Sequence, residues 1–381
     1  MTIRIDQLIR AIGAALDIVE GELLGASTNH GKRIAALCAA MARHLKLADT
    51  EVSAVATCAL FHDSALTETP VLALHCEIGQ RNAELLPLDS DIEGFVLYHH
   101  EHAGGGGTFG KREGEYPLGA ELIAIADMLD VENHMQRVHD LTALRHKARH
   151  DPRFTKRASS AMLSVLDGGM LEALRDERIE QTALRLIPAW NIDVDGEGLM
   201  NVAALAAHII DYKSAFTRRH TTQIAERALR MGEHYGYTRD ENARLYLAAA
   251  LHDIGKLATP TSVLEKPGRL TDEEFVVIKE HVTHTHKLLR GIEGFEDICR
   301  WAGNHHEKLD GTGYPLGLKA PELDFNSRLL ACIDIYQAVS EARPYHGERS
   351  HEETMPILYD MAQKGFIEPV IIGDLDKVMA T

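Results

Sequence analysis

AALHDIGK (249–256) and NHHEKLDGTGYP (304–315) decide how this chain is read, because a fainter copy of each stands earlier: CALFHD (58–63) and YHHEHAGGGGTFG (98–110). Working outward from these, an ordered set of histidines and aspartates occurs twice. The first half carries His30, His62-Asp63, His75, His99-His100 and Asp127; the second carries His220, His252-Asp253, His281, His305-His306 and Asp334. His30 to His62 spans 32 positions, as does His220 to His252. His75 to His99 spans 24, as does His281 to His305. His99 to Asp127 spans 28, against 29 from His305 to Asp334. Only the step from the His-Asp pair to the next histidine differs, 13 against 29. The extra residues fall near LATPTSVLEKPGRLTDEE, whose Pro, Gly and Thr content predicts a loop insertion. A repeat of this kind means one structural unit used twice.

Between the marked residues, apolar side chains recur at spacings of three and four, as in Ile34, Leu37, Cys38, Met41 and Leu45. The N-terminal stretch repeats the pattern with Ile5, Leu8, Ile9, Ile12, Leu16 and Val19. This is helical periodicity. The predicted fold is all-α, two tandem helical bundles, with an N-terminal domain over 1–190 and a C-terminal domain over 191–381. IPAWNIDVDGEG (187–198), with its Pro, Asp and Gly, reads as the linker.

The net charge of −17 argues against a surface that holds a long nucleic acid. It leaves room for a small anionic substrate, because a metal site inverts the local field. No apolar run approaches a membrane span, and the N-terminus lacks the pattern of a signal peptide. The five cysteines, Cys38, Cys58, Cys76, Cys299 and Cys332, form no CxxC pair. Their odd number fits a reducing cytoplasm, with buried thiols.

The 22 histidines are unusual for this length. A single histidine is more often a surface or hydrogen-bonded core residue than a ligand, yet the ordered set favours a metal site in the second half. Ligands so far apart in sequence converge only through a fold, and in a helical bundle they point inward from facing helices. Imidazole with carboxylate suits iron, manganese, zinc or nickel better than calcium or magnesium. An aspartate can bridge two ions, and two ions about 3.5–4 Å apart activate a shared water and clamp a phosphoryl group.

The second half resembles the HD-GYP family, a branch of the HD phosphohydrolases. The resemblance rests on TRRH (217–220), HDIGK (252–256), KPGRLT (266–271), IKEH (278–281), HHEKLDGTGYP (305–315), the stretch around Asp334 and ARPY (342–345). It implies hydrolysis of a cyclic dinucleotide, cyclic di-GMP or 3′,3′-cyclic GMP-AMP, with two iron or manganese ions as cofactor. It implies one ion on His220, His252, Asp253 and Asp334, and a second on His281, His305 and His306, with Asp253 bridging. Asp253 and Lys256 are then the catalytic candidates. Lys256, Asp310, Gly313, Tyr314 and Arg343 are the substrate-binding candidates. Where some family members carry a third-metal Glu this chain has Phe216, and His346 stands where a basic residue commonly follows RPY.

The first half resembles an HD domain without the full signature. Leu66 takes the place of Lys256, and Gly104, in a flexible glycine run, that of Asp310. Its seven residues His30, His62, Asp63, His75, His99, His100 and Asp127 form a second candidate metal set, in a domain expected to regulate or to support a homodimer. The implied partner is the cyclic dinucleotide, with no long nucleic acid and no membrane. Two other readings stay open: a metal-bound receptor for cyclic dinucleotides, and a phosphohydrolase of mononucleotides.

Overall fold

The computed structural model describes residues 4–24, 28–66, 68–138, 140–189, 194–211, 213, 219–266, 268–341 and 347–380. The chain divides into two compact units, the first Ile12–Ile192 and the second Asp193–Thr381 together with Met1–Ala11. All regular structure among the described residues is helical, as the spacing of apolar residues predicts. No helix among them is long and apolar enough to cross a membrane.

The helices in chain order are α1 (Ile5–Leu24), α2 (His30–His44), α3 (Asp49–Leu60), α4 (Leu72–Glu84), α5 (Leu118–Asn133), α6 (Leu141–His150), α7 (Lys156–Asp167), α8 (Met170–Ala173) and α9 (Ile179–Leu186). They continue as α10 (Gly196–Asp211), α11 (His220–His234), α12 (Arg239–Leu251), α13 (Thr261–Leu264), α14 (Asp272–Leu289), α15 (Glu296–Gly303), α16 (Phe325–Ser340), α17 (His351–Gln363) and α18 (Pro369–Met379). The predicted apolar stripe of α1 is buried throughout, from Ile5 to Val19. In the first unit α2 packs on α3 and α5; in the second, α11 packs on α12 and α16. All five cysteines are buried and free.

Both units begin their central helix in the same way. Asn29 and Arg219, the residues before the first histidine of each set, adopt left-handed backbone with φ of 59° and 71°. A side-chain-bearing residue seldom holds that conformation, and here it turns the chain so that His30 and His220 open α2 and α11. The Thr238 hydroxyl and Glu241 carboxylate close a reciprocal capping box on α12, whereas the matching place before α3 holds Ala48.

One sequence expectation needs correcting. The insertion expected as a loop carries α13 and the first turn of α14. The reason is local: Thr271 and Glu274 form a second capping box, and the acidic Asp272, Glu273 and Glu274 suit a helix N-terminus.

Candidate metal centres

Each His-Asp pair sits where a helix runs out. α12 ends at Leu251, and the chain turns tightly through Ile254–Ala258, packed against α14. Gly255 permits this approach, since a Cβ there would lie 1.9 Å from the His281 carbonyl oxygen. The hydroxyl of Thr285 pins the turn, accepting from the Gly255 N–H (3.1 Å) and donating to the His252 carbonyl (3.0 Å).

The geometry around Asp253 divides its two oxygens. Oδ2 faces His252 Nε2 at 3.1 Å and His220 Nε2 at 3.8 Å. Oδ1 faces His281 Nε2 at 3.2 Å and His305 Nε2 at 3.8 Å. Asp334 is likewise shared, with Oδ1 3.6 Å from His220 and Oδ2 3.5 Å from His306. The donor atoms of His220, His252 and Asp334 form one group close enough to share an ion, and those of His281, His305 and His306 form another. All seven predicted residues of the second set therefore converge.

The rings are oriented for ligation. Nδ1 of His252, His281 and His305 each meets the carbonyl three residues earlier, at 2.6–2.7 Å. An Nδ1–H donated there leaves Nε2 facing the cluster with a lone pair. His220 is held differently, its Nδ1 2.8 Å from the Glu341 carboxylate. Buried Nε2 of His252 and Oδ1 of Asp253 have no hydrogen-bond partner. Buried polar atoms left orphaned are costly, and an ion on each side of Asp253 would satisfy them, so the residues fit a metal. Burial opposes ionisation of Asp253, but His252 and Lys256 outweigh it and hold its carboxyl well below the usual range. Burial, reinforced by neighbouring His306, depresses His305 and keeps it neutral.

The first unit repeats this arrangement. Asp63 Oδ1 lies 3.2 Å from His75 Nε2, and its Oδ2 3.5 Å from His62 Nε2. Asp127 Oδ1 lies 3.3 Å from His30 and 3.7 Å from His62. The rings of His75, His99 and His100 gather in the second half of the cluster. The buried Nε2 atoms of His30, His62, His75 and His99 make no hydrogen bond. Asp130 plays the part of Glu341, its carboxylate 2.7 Å from His30 Nδ1, and is itself clamped by buried Arg33.

The substrate candidates fare unequally. The Lys256 ammonium pairs with Asp253. Tyr314 lies beside the cluster, its ring 4.8 Å from that of His306, with the Lys279 ammonium 5.9 Å from it. Gly313 is needed by the backbone, for a Cβ there would sit 2.4 Å from the Lys308 nitrogen. Asp310 is exposed and accepts from the Thr312 N–H and hydroxyl. Arg343, Phe216 and His346 lie outside the described residues.

Sequence reasoning missed the glutamate after each double histidine. Glu307 is buried and accepts from the backbone N–H groups of Leu316, Gly317 and Leu318. Glu101 does the same for Phe109 and Lys111. The loop that carries the glycine run of the first unit is thus tied to Glu101 just beyond the run, at Phe109 and Lys111. The signal was present in HHE, common to both copies. Matching loop bonds, Tyr314 N–H to His306 O and Thr108 N–H to His100 O, place Thr108 where the second unit has Tyr314.

Comparison with known proteins agrees with this duplication. One family model described as "HD domain" matches residues 28–132, and another with the same description matches 204–371. The chain carries two HD domains in tandem. A 3′3′-cGAMP-specific phosphodiesterase 1 of Vibrio cholerae is 28% identical over 93% of this chain and 87% of that protein. A cyclic di-GMP phosphodiesterase response regulator, RpfG, of Xanthomonas campestris is 34% identical over 50% of this chain and 51% of its own length. The crystal structure of a cyclic GMP-AMP-specific phosphodiesterase of V. cholerae superposes with a TM-score of 0.68 over 100% of this chain and 98% of that one, at 20% identity. That likeness supports the tandem HD fold.

Proposed function

We propose that the second HD domain is a metal-dependent phosphodiesterase of cyclic dinucleotides, and that the first HD domain regulates it. The observation that carries this reading is the split of Asp253, with two histidines on each oxygen, beside an intact GYP loop. Two ions of iron or manganese held by His220, His252, Asp253, His281, His305, His306 and Asp334 would supply an activated water and positive charge at the phosphodiester. Lys256 offers a further positive charge within reach of the same oxygens, where it would offset charge developing on a phosphoryl oxygen. Tyr314 presents a ring edge and face on which a purine can stack.

Among substrates, 3′,3′-cyclic GMP-AMP is favoured, because the relative named for it matches nearly the whole chain and the relative named for cyclic di-GMP matches half. The test is incubation of the purified chain, loaded with Mn2+ or Fe2+, with a panel of cyclic dinucleotides, followed by identification of products. The linear dinucleotide is expected, formed fastest from the mixed cyclic GMP-AMP. A chain that retains its metal and opens none of the rings overturns the reading.

A further inference from the structure

Asp17 and Glu20 lie one turn apart in α1 and are 6% and 1% exposed. Neither carboxylate oxygen of Glu20 meets a hydrogen-bond partner, and Asp17 Oδ2 is equally alone. Asp17 spends only Oδ1, on the Gly31 N–H at 2.6 Å. That bond holds Asp17 against the residue that follows His30, at the edge of the histidine set.

The second unit shows the same place saturated. Asp211 accepts from the start of α11 as Asp17 does from the start of α2, but it takes the Thr221 N–H (2.8 Å), the Thr222 N–H (3.1 Å) and the Thr222 hydroxyl (2.9 Å). The first unit has Lys32 at the place of Thr222, and the Lys32 ammonium pairs with Glu180 at 2.8 Å. Lys32 and Arg33 temper the charge of Asp17 from a distance, while the Arg33 guanidinium is engaged by Asp130. Two buried acids one helical turn apart, with three oxygens that make no hydrogen bond, are costly unless neutralised.

We propose that Asp17 and Glu20 form an oxygen-only site for a hard divalent cation, Mg2+ or Mn2+, next to the His/Asp set of the first HD domain. Carboxylate oxygens suit hard ions, which bind through one or two carboxylates and keep several waters. The site is separate from the seven histidine and aspartate donors, since Glu20 falls outside the atoms that could share an ion with His30, His62 and Asp63. The rival occupant is a proton shared by the two acids.

Equilibrium dialysis of the metal-stripped full chain against MnCl2, with bound manganese counted, distinguishes the two. Glu20→Gln is expected to lose one Mn2+ per chain and to keep the ions that His99→Ala releases, so the two losses add. If Glu20→Gln fails to fold, Asp17→Asn carries the same expectation, because its amide oxygen still accepts from Gly31. A folded variant of either kind that binds as many Mn2+ as the natural chain, with unchanged affinity, overturns the proposal. His99→Ala losing no metal would instead refute ligation by the histidine set and leave the Glu20 result to be judged alone.

Discussion

Asp63 and Asp253 occupy equivalent places, each with histidines on both oxygens, yet the groups around them part company. Lys256 reaches Asp253 from the turn after the helix, whereas Leu66 follows Asp63 in the matching turn. Tyr314 lies against His306, and Thr108 stands at that point in the first unit. The scaffolding between the sites is preserved, down to the buried glutamate that gathers the loop N–H groups. Ligand geometry and charge presentation are thus separable. The fold keeps a cluster of imidazoles together through helix ends and loop anchors, and the side chains that address an anion can change independently.

The largest expected effect is the most direct way to break this comparison. Asp253→Ala should abolish ring opening, because each half of the cluster loses one oxygen of the carboxylate they share. Asp63→Ala should leave a measurable fraction, provided a thermal melt shows that it is folded. An inactive, well-folded Asp63→Ala beside an active Asp253→Ala would reverse the roles of the two domains. Metal content sharpens the same point: His305→Ala should bind clearly less metal than the natural chain, and full retention would remove His305 from the ligands.

Lys256→Ala should retain metal and lose turnover on the order of a hundredfold, the size expected of a lost charge-stabilising donor. Single-turnover kinetics with metal analysis would check this, and unchanged turnover would exclude the ammonium from the reaction. Glu307→Gln removes a carboxylate that takes three backbone donors, a loss of about 1.5–3 kcal/mol for bonds to a charged group. It should lower Tm and raise KM, while Glu101→Gln should lower Tm and leave KM unchanged. Equal KM effects would show that the first-unit loop also serves the substrate. The smallest effect concerns helix starts: Thr238→Ala should cost about 1 kcal/mol and Ala48→Thr should gain a comparable part of that, read by denaturant titration.

Much of this is legible in the sequence. The ligands could be read because each must occupy one place in a bundle, and the bundle was written twice with the same intervals. Asp130 and Glu341 could not be matched by spacing. They serve the same ring nitrogen, but one lies three residues past its aspartate and the other seven. Glu20 carried no signal either, since its importance comes from burial without a partner, which only packing reveals. Glu101 and Glu307 share the HHE stretch, but their role as anchors rests on backbone donors further along the loop, which only packing reveals. The insertion reads as a loop because Pro260, Pro267 and Gly268 interrupt it, while the capping residues that start a helix are few.

The carbonyl three residues back has a further consequence. His62, His99, His252, His281 and His305 all tie Nδ1 to that oxygen, within their own stretch of backbone. Ring tilt is therefore set by the local backbone, in a helix at His281 and in the turns at the other four. Many small metal sites order themselves only upon binding, so that stripping the ion unravels the chain. Here the rotamer entropy of five imidazoles has already been lost during folding, which makes the clusters preorganised receptors. Chelation should empty such a centre while the helical content stays as it was, and metal should return without a refolding step.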